Sequence, residues 1–205
     1  LAQYVPETGF NWRIVLGNLD TIPNPVPGHI QSAITYPYGY FGEMEVVTVL
    51  DARMIQRATH AAILVTLMHE SVHAYINSVL KSNHPKRRPF EQAIEEFFIA
   101  NPASFNMGEA HHQELFKIYL GRMSYSLYWT LRGELDYSLM MSYNPNFHKD
   151  MVMSGLTHLP IFETLYPNAE DRARVIATIE GEKFGFYNDP NTGALSLPKT
   201  KKACE

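Results

Sequence analysis

Residues 69–73 read His69-Glu70-Ser71-Val72-His73, two imidazoles four positions apart with a carboxylate directly after the first. On a helix such a pair lies about 40° apart around the axis and about 6 Å apart along it, so both rings reach one ion. Imidazole is a good zinc ligand, and this spacing fills two tetrahedral positions from one rigid element. Glu70 points partly to the same side. There it takes a proton from a metal-bound water rather than binding the metal itself. The bland alternative is a half-buried helix whose histidines are merely hydrogen-bonded. Random order of this composition produces the pattern in about 3% of such chains, which favours the metal reading. The setting favours it too. Ile63, Leu64, Val65, Leu67 and Met68 precede the motif and Ile76, Val79 and Leu80 follow it. The helix is therefore buried, and buried histidines and a buried glutamate need partners.

A catalytic zinc takes three protein ligands and leaves one position open for water. No histidine follows at the short H-x-x-G-x-x-H spacing, which excludes a metzincin. Two sources of a third ligand remain. One is a glutamate downstream, Glu91, Glu95 or Glu96. The other is the pair His111-His112. For the glutamates the plain alternative is a charged helix face, for the histidines a solvated helix start. One glutamate could also fix a histidine tautomer from outside the ligand set.

The elements that must position these groups follow from the local pattern. Trp12 to Leu16 reads as a short strand, and Thr21 to Gly28, with three prolines, as a loop. Ser32 to Tyr36 and Glu45 to Leu50 read as a hairpin connected by Pro37 to Gly42. Ala52 to Leu80 holds good helix formers and neither Gly nor Pro. It is one long helix with a frayed start, or a short helix followed by a long one. Ser82 to Pro89 breaks it. Phe90 to Ala100 is a second helix, ended by Asn101-Pro102. Ala103 to Met107 is a loop, and Gly108 to about Gly133 a third helix, with Leu115, Ile118, Tyr119 and Met123 at helical spacing. Asn144-Pro145-Asn146 is a turn. Asn168 to Ile179 is a last helix, closed by Gly181. The expected fold class is α+β: a small N-terminal β-sheet, then a mainly helical body, in a single domain over residues 1–187. Residues 188–205 are expected to form a mobile tail.

The motif helix, Thr66-Leu67-Met68-His69-Glu70-Ser71-Val72-His73-Ala74-Tyr75, resembles the active-site helix of SprT-like (Spartan-like) zinc metallopeptidases. In that family an alcohol or small residue often stands three before the first histidine, and an aromatic soon follows the second. The resemblance covers about residues 30 to 125 and implies a zincin-like fold, with an edge strand packed on the active-site helix. Glu45 to Leu50 would be that strand. The third ligand of the family is a later histidine in an H-x-x-x-F context, which His112-Gln113-Glu114-Leu115-Phe116 matches. The resemblance thus implies one catalytic Zn2+ held by His69, His73 and His112, with Glu70 as catalytic base. Glu95, Glu96 and His111 remain the alternatives for the third position. The sequence departs from the family in two places: Gln113 stands where a glycine often follows the third histidine, and the C-terminal zinc ribbon of many relatives is absent.

Composition bounds the rest. The chain has 205 residues, 45% hydrophobic and 19% charged, with a formal charge of −4. That is an ordinary globular balance and excludes a disordered chain. Nucleic acid is not an expected partner, since bulk-charge binders are basic. The apolar run from Ala61 to Met68 is far shorter than the roughly 20 residues of a membrane span. The single cysteine, Cys204, excludes an internal disulfide and a cysteine-built zinc ribbon. Cytoplasmic residence is expected. An exported form is the alternative, because Leu1 is not a native start.

Among weaker signals, Lys86-Arg87-Arg88 reads as a solvated loop, with contact to a phosphate backbone as its functional alternative. Tyr38 to Phe41 is a candidate substrate contact beside the edge strand. Tyr125, Tyr128 and Trp129 recur at helical spacing and are expected in the core rather than lining a cleft. His148 and His158 are read as incidental. The function these expectations compose is zinc-dependent hydrolysis of a peptide or protein substrate. The rivals are a non-peptide zinc amidohydrolase, a DNA-associated protease, and a non-catalytic scaffold stabilised by zinc.

Overall fold

The computed structural model describes residues 11–19, 31–36, 45–80, 109–133, 141–158, 160–185, 187–188 and 195–196. For 75–80, 109–118, 160, 187–188 and 195–196 it is the backbone that is described. The elements are β1 (Trp12–Gly17), β2 (Ala33–Tyr36), β3 (Val46–Asp51), α1 (Ala52–Arg57), α2 (His60–Leu80), α3 (Glu109–Leu131), α4 (Phe147–Met151), α5 (Pro160–Leu165), α6 (Ala169–Phe184), β4 (Tyr187–Asn188) and β5 (Leu195–Ser196). The architecture is α+β, with a three-stranded sheet and a mostly helical remainder. The expected connections and helix between Lys81 and Gly108, the loop from Thr21 to Gly28 and the segment Pro37 to Gly42 lie outside the described residues. Among the described residues no helix is long and apolar enough to cross a membrane.

Two compact units divide the chain. The first holds residues 1–52 and 70–108, the second 53–69 and 109–205. The boundary runs through α2, with His69 in the second unit and Glu70 in the first.

In the first unit the strand order is β1-β3-β2. β2 and β3 form the expected antiparallel pair, Ala33 opposite Leu50 and Tyr36 opposite Val47. β1 lies parallel to β3 on its other side, Trp12 opposite Val46 and Gly17 opposite Asp51. The strand expected at the edge is therefore the central one. Val46-Val47-Thr48-Val49-Leu50-Asp51 explains why: it is nearly continuously apolar and β-branched, and buried on both faces as a central strand must be. β1, paired on one side only in the described sheet, leaves Ile14 and Leu16 exposed. Val72 and Ala74 of α2 are buried, as are Ile34, Val46, Val47 and Leu50 of the strands.

In the second unit a short helix followed by a long one replaces a single helix with a frayed start. Thr59 makes the break. Its Oγ1 accepts from the Ala62 N–H at 3.3 Å, capping α2, and its own N–H donates to the Glu182 carbonyl at 2.9 Å. α6 starts at an Asn168 cap whose side chain accepts from the Glu170 N–H. It ends at Gly185, not at Gly181. Gly181 is buried inside the helix, and one further turn buries Glu182 and Lys183. There the Thr59 hydroxyl donates to Glu182 Oε2 at 2.6 Å. Gly185 takes the left-handed conformation (φ 81°) that closes the helix.

The buried stripe of α3 is Leu120, Met123, Leu127 and Leu131, spaced three or four apart. Tyr125, Tyr128 and Trp129, expected in the core, stand on the exposed side at 64%, 38% and 43% exposure. Both sets satisfy a helical period, and the aliphatic set takes the interior. α4 packs on α3 and α6 through Phe147 and Met151, both fully buried. Asp150 of α4 is clamped by Arg174 of α6, whose Nε and Nη2 each donate at 3.2 Å, and by the Asn144 side-chain amide at 2.8 Å. In the segment expected to be a mobile tail, Asn188 pairs with Leu195 in a short antiparallel ladder.

Candidate metal centre

α2 is uninterrupted from His60 to Leu80, so His69 and His73 stand one helical turn apart with Glu70 between them. The fold places each in a distinct setting. His69 and His73 are half-buried and Glu70 is buried.

In the second unit His69 rests against a glycine. A Cβ at Gly155 would lie 3.2 Å from His69 Cε1, 3.4 Å from Nε2 and 3.7 Å from Nδ1. Near-equal distances to three consecutive ring atoms put that position over the ring face rather than beyond its edge. Gly155 also has φ +82°, so a glycine is required twice over: for the backbone and for the imidazole. Desolvation lowers the His69 pKa to about 4, with the Lys183 charge and then His158 adding to the effect. The ring is thus neutral at pH 7, which is the state that binds metal. His158 is therefore not incidental. It is exposed, yet near enough to bear on His69. Lys183 and Gly155 carried no local signal beyond a glycine in the run Met151-Val152-Met153-Ser154-Gly155.

In the first unit Glu70 is held from the sheet. Thr35 Oγ1 of β2 donates to Glu70 Oε2 at 2.6 Å. Thr35 and Thr48 of β3 are cross-strand partners whose hydroxyls lie 2.6 Å apart, and the Trp12 indole N–H of β1 donates to Thr48 Oγ1 at 2.8 Å. Three strands thus contribute to one hydrogen-bonded line that ends on the motif glutamate.

The candidates for a third ligand are distributed differently. The backbone of His111 and His112 lies in the first turn of α3, and their side chains fall outside the described residues. Glu91, Glu95 and Glu96 lie outside the described residues altogether, as do Lys86 to Arg88 and Tyr38 to Phe41. Among the described residues no three His, Cys, Asp or Glu side chains gather as a metal-holding group. The described part of the donor set suits zinc: two imidazoles one turn apart, one held neutral and seated on a glycine cradle that a Cβ would fill.

The second unit also contains a cleft of about 850 Å³, lined by Tyr125, Tyr128, His148, Lys149, Tyr166 and Arg174 among others. None of the motif residues lines it. Tyr125 and Tyr128 therefore face a cleft, the alternative set aside for them in favour of core packing. His148 is buried, edge-on to Tyr128 with ring centroids 5.4 Å apart, and burial lowers its pKa. Burial pushes the Tyr166 pKa up to about 12, with Asp150 adding to it, so that hydroxyl stays a donor.

Set against protein-family models, curated proteins and solved structures, the chain finds no match.

Proposed function

We propose that the chain is a zinc-dependent metallopeptidase with a zincin-like fold, of the SprT-like kind. The observation that carries the reading is the seating of the H-E-x-x-H helix. His69 and His73 stand one turn apart on it, and the glutamate between them is oriented by a hydroxyl from the sheet, Thr35 to Glu70 at 2.6 Å. His69, His73 and His112 would hold the ion, with Glu95, Glu96 or His111 as alternatives to His112. Bound there, zinc would supply Lewis-acid polarisation of the scissile carbonyl and a lowered pKa for water.

The chain's own groups do the proton work. Glu70 accepts a proton from the attacking water and returns it to the leaving amine. Gly155 lets the His69 ring sit close to the backbone, which fixes its plane, and desolvation keeps that ring neutral. An extended substrate pairing with the sheet would add to β2 or β1, the outer strands of the described sheet, and not to β3, whose both sides are taken.

A second reading, a zinc-stabilised scaffold without turnover, is favoured by one observation: Glu70 is only 6% exposed and bonded to the sheet, as a structural anchor would be. Turnover separates the two. Zinc-loaded wild type is expected to hydrolyse a mixed peptide or unfolded-protein substrate. Glu70→Gln is expected to keep its zinc and lose roughly 100-fold or more in kcat. Full zinc occupancy with no hydrolysis by wild type would leave the scaffold. Unchanged turnover in Glu70→Gln would remove the general base. Hydrolysis of non-peptide amides alone would shift the substrate class.

A further inference from the structure

The line from Trp12 to Glu70 has a direction set by chemistry. An indole N–H can only donate, and an ionised carboxylate can only accept. Trp12 therefore gives its hydrogen to Thr48 Oγ1 at 2.8 Å. Thr35 gives its hydroxyl hydrogen to Glu70 Oε2 at 2.6 Å. A hydroxyl carries one proton, so in the 2.6 Å contact between the two threonines Thr48 is left as donor and Thr35 as acceptor. All the hydrogen bonds point the same way, toward the carboxylate. Each donor is strengthened by the one behind it, and the line runs through a low-dielectric interior. Thr48 is fully buried, and Thr35 and Glu70 are 8% and 6% exposed.

The register explains why the line exists. Thr35 and Thr48 are opposed across the β2–β3 ladder, so their side chains share a face. Trp12 is opposite Val46, two residues before Thr48, and alternation puts Trp12 on that face as well. A threonine set between Val46-Val47 and Val49-Leu50 needs a reason, since a buried hydroxyl without a partner is costly. Two of them stacked beneath a carboxylate satisfy one another only in this order.

We propose that Thr35 is a positioning residue for Glu70, with Thr48 and Trp12 as its supports. Thr35 locks the carboxylate in the orientation from which it takes and returns the proton. The catalytic consequence rests on the metallopeptidase reading; the hydrogen-bond line does not.

The test uses the full chain in two arms. In the first, without metal, amide and indole N–H signals are recorded by NMR. The chain has two tryptophans, Trp12 and Trp129, and Trp129→Phe assigns their indole signals. Thr35→Val keeps the side-chain shape and removes the hydroxyl. It is expected to shift the Trp12 indole signal and leave that of Trp129 in place, whereas Thr35→Ser restores the wild-type position. A Trp12 signal indifferent to Thr35→Val overturns the line. In the second arm, zinc-loaded variants are compared on a peptide substrate. Thr35→Val is expected to lower kcat by about 10–100-fold with KM and zinc occupancy unchanged, and Thr35→Ser to recover most of it. Trp12→Phe, which removes only the first donor, gives a smaller loss in the same parameter and serves if Thr35→Val does not fold. Wild-type kcat in Thr35→Val, or equal impairment in Val and Ser, overturns the positioning role. A wild type with zinc but no turnover overturns the metallopeptidase reading and the catalytic consequence with it, an outcome that the unaffected indole arm distinguishes from failure of the line.

Discussion

Gly155 and Gly185 form a matched pair that isolates what the His69 ring requires of the backbone. Their φ values are +82° and +81°, so alanine at either site incurs the left-handed penalty of roughly 1–2 kcal/mol. Alanine also stiffens the unfolded chain, which offsets part of that, about 0.4–1 kcal/mol at either site. The two differ in what a new Cβ meets. At Gly185 there is nothing within 4 Å, whereas at Gly155 it comes within 3.2 Å of His69 Cε1 and 3.4 Å of Nε2. The imidazole must retreat by a few tenths of an ångström, on the scale of overpacking, about 1–3 kcal/mol. Gly185→Ala is therefore expected to destabilise by about 1 kcal/mol and leave zinc affinity unchanged. Gly155→Ala is expected to destabilise further and to weaken zinc about 10-fold, since ligand orientation tunes affinity on that scale. Urea denaturation in chelator measures the first quantity, and competition titration with a zinc indicator the second. Equal losses of stability in the two variants, with equal zinc affinity, would refute the seating of His69 on Gly155.

Other consequences follow from the same contacts. Because the folded His69 pKa is about 4 against 6.5 for the ordinary value, the unfolded chain binds a proton between those values that the folded chain refuses. Stability of the metal-free chain is then fully present above pH 6.5 and falls as pH drops toward 4, by at most about 3 kcal/mol from this group. Denaturant melts at pH 7 and 4.5 should show a smaller fall in His69→Gln than in wild type, and identical falls would contradict the shift. Thr59→Val removes both the α2 cap and the donor to buried Glu182, so a loss of about 2–4 kcal/mol is expected, with Thr59→Ser near wild type. A Val variant as stable as Ser would mean that the hydroxyl is not holding Glu182. Arg174→Met leaves the buried Asp150 carboxylate with Asn144 as its remaining side-chain donor among the described residues, and should cost about 3 kcal/mol in thermal or urea unfolding. Asp150→Asn in the Arg174→Met background should recover part of it.

What could be read along the chain is what depends on near neighbours. The H-E-x-x-H helix was legible because its residues lie within two turns, and the β2–β3 hairpin because Val, Ile and Thr mark strands and both partners are close in sequence. Thr59 is an N-cap residue immediately before an apolar run, a signal that would have placed the start of α2. The parallel pairing of β1 with β3 was not legible, since no local pattern records which strand inserts between two others. Once β3 is seen to be flanked on both sides, its uninterrupted run Val46 to Leu50 reads as central, and edge pairing by a substrate moves to another strand. The groups around the motif were hidden for the same reason. Gly155 lies 86 residues from His69, and Thr59 and Glu182 are 123 apart, so neither contact leaves a periodic trace. On α3 two stripes obey one helical period, so the spacing of Tyr125, Tyr128 and Trp129 is compatible with the core and yet does not place them there; Met123, read at helical spacing, is buried with Leu120, Leu127 and Leu131.

The central claim is that His69 and His73 share one zinc ion with a third ligand from downstream, and metal stoichiometry tests it most directly. Elemental analysis after zinc loading and desalting should give one zinc per wild-type chain and little or none in His69→Ala, His73→Ala and His112→Ala, with each variant still folded by circular dichroism. Loss in Glu95→Ala, Glu96→Ala or His111→Ala in place of His112→Ala would move the third ligand and leave the centre intact. A folded wild-type chain that retains no zinc, or His69→Ala and His73→Ala chains that retain all of it, would contradict the account.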